Sequence, residues 1–232
     1  MDVEGTLFKT EVRLPSTGFY STIWQAIAKQ LGPRAELEEI ATHRRWERGD
    51  YRGYVDWMRD TISIHMKYGL RKNVFDQIIA SARYNPGVLE TLRRVDRNYY
   101  EIVLVSGGFR ELALRAQRTL KISHTFAACE YSFSKNGRLD GYNLIPSDFA
   151  GKLAFTKLML REYKLGPQDW VFVGDGQNDV KIARAAPVSI GYRPHPSLRK
   201  VVTFTIDDFI ELGLILRKSV PGISESKKTQ NC

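Results

Sequence analysis

Two short apolar runs constrain the fold of this chain more than anything else in its sequence. "EIVLVSGGF" (101–109) and "DWVFVGDG" (169–176) are rich in β-branched residues and end in glycine. Runs of this kind read as strands buried on both faces. A helical pattern follows each: "RELALRAQRTL" after the first and "NDVKIARAA" after the second. "GKLAFTKLMLREY" adds a helix between them, and "VSIGY" and "VVTFTI" add two further strands. Strands alternating with helices predict an α/β fold with a doubly wound, mostly parallel sheet and crossover connections. "HTFAACEYSFSKNGRLDGYNLI" alternates around Asn136-Gly137, a hairpin signal.

The first third of the chain has a different period. "GFYSTIWQAIAKQL" (18–31) places Phe19, Ile23, Ala26, Ile27 and Leu31 at helical spacing and stops at Gly32-Pro33. "AELEEIATHRRWERG" and "YRGYVDWMRDTISIHMKYG" read as helices that each close on a glycine, and "NVFDQIIASARY" as one stopped by Asn85-Pro86. The expected organisation is a core of residues 1–13 and 86–217, an all-helical insert of residues 14–85, and a polar, disordered tail at 218–232. No internal repeat is visible.

Composition narrows the function. The two cysteines allow neither a disulfide framework nor a zinc site, and no apolar run approaches 18 residues. A soluble cytoplasmic protein with no membrane partner is expected. The net charge of +9 attracts anions. Its basic residues are scattered, without a zinc finger, an RNA-recognition signature or a long basic block, so the expected partner is a small phosphorylated metabolite and no nucleic acid. Cys129 and the tryptophans Trp24, Trp46 and Trp57 read as packing residues.

Open α/β sheets bind ligands at the carboxyl ends of their strands. Three such ends carry unusual residues: Asp2-Val3-Glu4 at the start, Ser106-Gly107-Gly108, and Gly174-Asp175-Gly176 with Asn178 and Asp179 beyond. Together with Lys152 they hold what phosphoryl transfer needs. Carboxylates serve as nucleophile and as magnesium ligands, glycine N–H groups receive phosphate oxygens, and an ammonium balances charge. Taken singly, each has a plain alternative: an acidic terminus, a strand-to-helix turn, a capping Asp, a surface lysine.

Taken in order, "DVEGTL", "VSGGF", Lys152 and "VGDGQND" resemble the four motifs of the haloacid dehalogenase-like phosphatases, and the helical insert resembles the cap of their phosphoserine phosphatase group. The resemblance runs to about residue 212. It implies a Rossmann-like core with an all-helical cap inserted after the first motif. It also implies Mg2+-dependent hydrolysis of a phosphomonoester through a phospho-aspartate, with O-phospho-L-serine the leading substrate. Transfer of the phosphoryl group to another small alcohol, or phosphate binding without catalysis, are the alternatives. By this resemblance Asp2 is the nucleophile and Glu4 the general acid/base, where the family usually has Asp. Thr6 supports the turn, Ser106 and Gly107 bind phosphate, and Lys152 orients nucleophile and phosphate. Asp2, the main-chain carbonyl of Glu4 and Asp175 hold the metal, and Asn178 and Asp179 support phosphate or metal. Glu11 would reach a substrate amine and Arg59 a substrate carboxylate; the plain alternatives are a solvated loop acid and a surface cation.

In this family the nucleophile ends a central strand. Only Met1 precedes Asp2, which leads to the expectation that an apolar stretch belongs upstream of this start, or else that residues 1–7 are held by other segments across a gap in the sheet.

Overall fold

The computed structural model describes residues 1–13 and 20–218. Two parallel ladders make the sheet. In one, β3 (Val103–Phe109) pairs parallel with β4 (His124–Phe133), which turns back antiparallel as β5 (Leu139–Leu144). The hairpin turns at the expected place, where Gly137 takes φ +77°. In the other, β6 (Val171–Gly174), β7 (Val188–Tyr192) and β8 (Phe204–Ile206) run parallel. β3, β6 and β7 bury nearly continuous runs of side chains, because both faces of the sheet are covered there.

The first two residues join the ladders. The Met1 amino group donates to the Val103 carbonyl at 2.9 Å, and the Val105 N–H donates to the Met1 carbonyl at 3.0 Å. The Asp2 N–H then donates to the Val173 carbonyl at 2.9 Å. Met1 therefore pairs with β3 and Asp2 with β6, as successive residues of a strand between two parallel neighbours do.

The helical third holds α1 (Ile23–Leu31), α2 (Pro33–Glu47), α3 (Tyr54–Lys67) and α4 (Lys72–Ser81). The helix predicted over 18–31 begins later. Tyr20–Ser21 form a short strand, β2, antiparallel to β1 (Val12–Arg13). Thr22 then caps α1: its hydroxyl accepts from the Gln25 N–H at 3.3 Å, and the Gln25 side chain accepts from the Thr22 N–H at 3.4 Å. A Thr-x-x-Gln capping box satisfies two orphan donors and outweighs the periodicity upstream. Phe19 and the expected tail beyond 218 lie outside the described residues. The buried face of α1 carries Ile23, Ala26 and Ile27, and Trp24 packs on Phe109 with ring centroids 4.1 Å apart. Phe75 of α4 meets Phe109 and Tyr131, each at 5.2 Å. The helical layer is thus anchored on β3 and β4.

Helices α5 (Val88–Arg93), α6 (Arg110–Leu120), α7 (Ala150–Glu162), α8 (Val180–Ala185), α9 (Pro196–Arg199) and α10 (Phe209–Lys218) complete the chain. α5 and α10 escaped the sequence reading. They pack on each other, and the Thr91 hydroxyl donates to the Phe209 carbonyl at 3.0 Å. Among the described residues no helix is long and apolar enough to cross a membrane.

Candidate active site

Asp2 leaves the sheet between the turns that end β3 and β6, and the chain folds back at once. Gly5 takes φ +85°, and a β-carbon there would lie 2.1 Å from an Asp175 carboxylate oxygen. Only glycine meets both demands. The Asn85 side chain donates to the Gly5 and Thr6 carbonyls, both at 2.9 Å, and pins the loop. The buried Thr6 hydroxyl donates to Asp175 Oδ1 at 2.7 Å.

The end of β3, where its register against β4 shifts between Ser106 and Phe109, presents backbone. Ser106 Oγ accepts from the Gly108 N–H at 3.0 Å, and the Ser147 hydroxyl donates to the Ser106 carbonyl at 2.8 Å. A β-carbon on Gly107 would fall 2.3 Å from the Asp148 carboxylate. The Tyr54 hydroxyl, at the first residue of α3, donates to the Gly107 carbonyl, so the helical layer touches this turn directly. Glu4 sits beside it: one carboxylate oxygen lies 3.1 Å from where a Gly108 β-carbon would be, and the other accepts from the Ile23 N–H at 3.4 Å.

The turn after β6 presents carboxylates. Asp179 Oδ2 accepts from the N–H groups of Asp175 at 2.9 Å and Gly176 at 3.0 Å. Its Oδ1 accepts from Lys152 Nζ at 2.5 Å. Lys152 comes from the first turn of α7 and is fully buried, 3.0 Å from Asp2 Oδ1 and 3.6 Å from Asp148 Oδ1. Phe149, at φ +47°, turns the chain between Asp148 and the helix. Asn178 Nδ2 donates to Asp148 Oδ1 at 2.7 Å.

Asp2, Asp148 and Asp179 thus surround one ammonium, with Asp175 and Glu4 near Asp2. Burial pushes the Asp2 carboxyl up to about 7, against the pull of Lys152. Burial likewise raises Glu4 to about 7, against the Ile23 N–H, and nearby Asp2 adds to the rise. Asp175 is held well above the usual carboxylate range, first by burial and then by the charges of Asp2 and Asp179. Burial works against the Lys152 ammonium, yet Asp179, Asp2 and Asp148 outweigh it and hold the proton more firmly than usual. Oxygens of Asp2, Asp175 and Asp179 all lie within 4.8 Å of one another. An excess of buried, hard oxygen donors suits a small divalent cation such as magnesium. Asp179 has both oxygens committed to Lys152 and to its own loop. That leaves Asp2 and Asp175 with the freer carboxylate oxygens.

The structure therefore brings together Asp2, Glu4, Ser106, Gly107, Lys152, Asp175, Asn178 and Asp179. It does not bring in Glu11 or Arg59. Glu11 is exposed, and the exposed Arg59 guanidinium faces Asp56 of its own helix at 3.5 Å. An i,i+3 partner on a solvated helix face offers Arg59 a shorter reach than the site does. Sequence reasoning missed Asp148, Ser147, Tyr54 and Asn85. The spacing of Asp148, four residues before Lys152, was a usable signal. Asn85 was read only as a helix stop, and nothing local marked Tyr54.

Residues 1–187 match the family model of the haloacid dehalogenase-like hydrolases. Among curated proteins, the phosphoserine phosphatase of Lactococcus lactis is 25% identical over 210 residues, which cover 89% of this chain and 88% of the relative. That of Streptomyces coelicolor is 26% identical over 224 residues, 93% of this chain, which spans 49% of that longer protein. Among solved structures, a phospho-aspartyl intermediate analogue of phosphoserine phosphatase superposes with TM-score 0.72 at 20% identity, over 91% of this chain and 94% of that one. A likeness at that identity speaks for the fold.

Proposed function

The chain belongs to the haloacid dehalogenase-like hydrolase family and, by its likeness to phosphoserine phosphatases, is a phosphoric monoester hydrolase; on that premise we propose that it works with Mg2+ through a phospho-aspartate on Asp2, with O-phospho-L-serine as leading substrate. The observation that carries this reading is the buried Asp2 carboxylate, held by Lys152 at 3.0 Å between a turn of glycine N–H groups and a turn of acids. An Asp2 oxygen attacks phosphorus while the bond from phosphorus to the substrate oxygen breaks. Glu4, which titrates near neutrality, gives its proton to the leaving alkoxide. Water then attacks the phospho-aspartate, Glu4 takes the water proton, and the bond from phosphorus to Asp2 breaks, releasing phosphate. The Gly107 N–H, the Ser106 hydroxyl, whose oxygen is held by the Gly108 N–H, and the Lys152 ammonium meet the negative charge on the phosphoryl oxygens.

Magnesium would be held by Asp2, Asp175 and the main-chain carbonyl of Glu4, and would neutralise phosphate charge. Asp179 would sit behind it, fixing Lys152 and the loop. Residues 14–85 act in this reading as a cap. Tyr54 on Gly107, and the rings of Trp46 and Tyr54 at 5.5 and 5.7 Å from Phe149, hold it against the site, where it excludes water. The naming of the serine ester rests on the curated relatives. Glu11 and Arg59 are exposed, and their contact with a substrate amine and carboxylate stays part of this proposal. The test is release of inorganic phosphate from a panel of phosphomonoesters, with and without magnesium. Fastest magnesium-dependent turnover of O-phospho-L-serine supports the whole reading. A preference for another ester revises the substrate only, and no release from any ester sinks the enzyme reading.

A further inference from the structure

One peptide unit at the end of β3 is held at both of its ends. The Tyr54 hydroxyl donates to the Gly107 carbonyl, and the N–H of that same unit, on Gly108, donates to Ser106 Oγ at 3.0 Å. The Gly107–Gly108 peptide therefore stands between a side chain of the helical segment and the Ser106 hydroxyl. A carbonyl that accepts a hydrogen bond makes the N–H across its peptide unit a stronger donor, and such chains reinforce one another where water is scarce. Ser106 is buried and its Oγ already accepts, so its own proton is the one left to pass onward. Each donor thus hands on to the next in one direction, from Tyr54 to Ser106. The Tyr54 ring packs against Trp57 at 6.0 Å and Phe149 at 5.7 Å, contacts that a phenylalanine would make equally. Only the chain to Ser106 uses the hydroxyl. Burial, and then the charge of Asp148, raises the phenol well above its ordinary range, so it stays a donor.

We propose that Tyr54 is a positioning residue for phosphate recognition: its hydroxyl, acting through the Gly107–Gly108 peptide, orients the Ser106 hydroxyl and strengthens it as a donor to a phosphoryl oxygen. The inference rests on the phosphatase reading and adds to it a coupling between the helical segment and the phosphate. With Tyr54 on Gly107 the peptide is fixed and Ser106 is aimed. With Tyr54 withdrawn the peptide can turn, and the Ser106 hydroxyl loses its orientation. Linkage is reciprocal, so a phosphate on Ser106 draws Tyr54 onto Gly107 by the same factor. The segment that excludes water is then drawn in by the phosphoryl group itself. What is recognised is the phosphoryl oxygen, whatever alcohol it carries. The effect therefore extends to inorganic phosphate and is equal for different esters.

The test is calorimetric titration of the full chain with inorganic phosphate in saturating magnesium, beside steady-state kinetics. Tyr54→Phe keeps the ring and loses the donor. Its Kd for phosphate and its KM for each hydrolysed ester should rise together, by about five- to tenfold. The magnesium concentration for half-maximal rate should stay as it is. Ser106→Ala should weaken phosphate at least as much. The double variant should be no weaker than Ser106→Ala alone, because Tyr54 acts through the hydroxyl already removed. A fluorotyrosine at position 54, nearly equal in size and a stronger donor, should tighten phosphate by about twofold, and it carries the test should Tyr54→Phe not fold. An unchanged phosphate Kd in Tyr54→Phe would overturn the proposal, as would multiplying effects in the double variant. Weakened esters with unchanged inorganic phosphate would also overturn it, and would make Tyr54 a contact of the leaving alcohol. If the wild-type chain binds phosphate but hydrolyses no ester, the catalytic reading fails, while a weaker phosphate Kd in Tyr54→Phe still upholds the coupling. If the wild-type chain binds no phosphate, both fail.

Discussion

The irregular end of β3 and the turn that follows β6 occupy equivalent places in the two ladders and have opposite chemistry. The end of β3 offers the Gly107 N–H and the Ser106 hydroxyl and no charge, with glycines at 107 and 108 that let other groups come close. After β6 it offers Asp175 and Asp179, with N–H groups turned inward onto the Asp179 carboxylate. One turn is suited to receive an anion and the other a cation, and Asp2 stands between them. A parallel sheet supplies two such strand ends side by side, so a phosphate and a cation beside it would each find a complementary partner. Lys152 links the halves by pairing with Asp2 and Asp179.

Variants can break this division of labour. Asp2→Asn should cost the most, because Asp2 serves both turns. An amide is a poor nucleophile and a weaker metal ligand, and kcat is expected to fall by about 10⁴-fold or more. Activity kept within tenfold in a phosphate-release assay would remove Asp2 from the chemistry. Asp175→Asn should strike the cation turn alone. The magnesium concentration for half-maximal rate should rise at least about tenfold, with KM at saturating magnesium little changed. Gly107→Ala should do the converse. Its β-carbon would collide with Asp148, so KM is expected to rise roughly tenfold, or about 1.4 kcal/mol, with magnesium dependence unchanged. If both variants shifted both quantities equally, the two turns would not be separate devices.

Acidity sharpens the comparison further. Glu4 near 7 must be protonated to release the alcohol, so kcat should decline as pH rises above neutrality. Glu4→Gln should flatten that limb of the profile while lowering the rate. The smallest effect is on stability. Asp2, Glu4 and Asp175 have folded values above their unfolded ones, so the folded state binds more protons. Their contribution is full below about pH 4 and is lost as pH rises, through about 7 for Asp2 and Glu4. The Met1 amine, held down to about 6 by burial, works the other way between pH 6 and 8. With these acids and Glu39, also raised to about 7 by burial, outweighing the Met1 amine and the buried His65, which is held down to about 3, Tm in EDTA should fall by a few degrees from pH 5 to 8, and magnesium should restore more at pH 8 than at pH 5. A Tm that rises across that range without metal would show that the acid cluster is not buried as described.

Much of this was written locally. The run Ile102–Val105 before Ser106-Gly107-Gly108, and Val171–Val173 before Gly174-Asp175, determined strand, turn and chemistry, because a buried strand must be apolar and a close approach of backbone requires glycine. The order of the motifs determined the family. The tertiary structure decided what depends on distance. Lys152 reads as a surface residue until α7 sets it among Asp2, Asp148 and Asp179, and burial then turns a solvated cation into the site's counter-charge. Tyr54 reaches Gly107 from 53 residues away, and Asn85 reaches Gly5 from 80. No window of sequence contains both partners of such contacts. Arg59 shows the reverse. Its residue type and rough position suited a substrate carboxylate, but its side chain lies on a solvated helix face beside Asp56. Residue type and spacing determined which groups this protein could use, while packing of distant elements decided which are buried, and a low dielectric makes buried groups interact strongly.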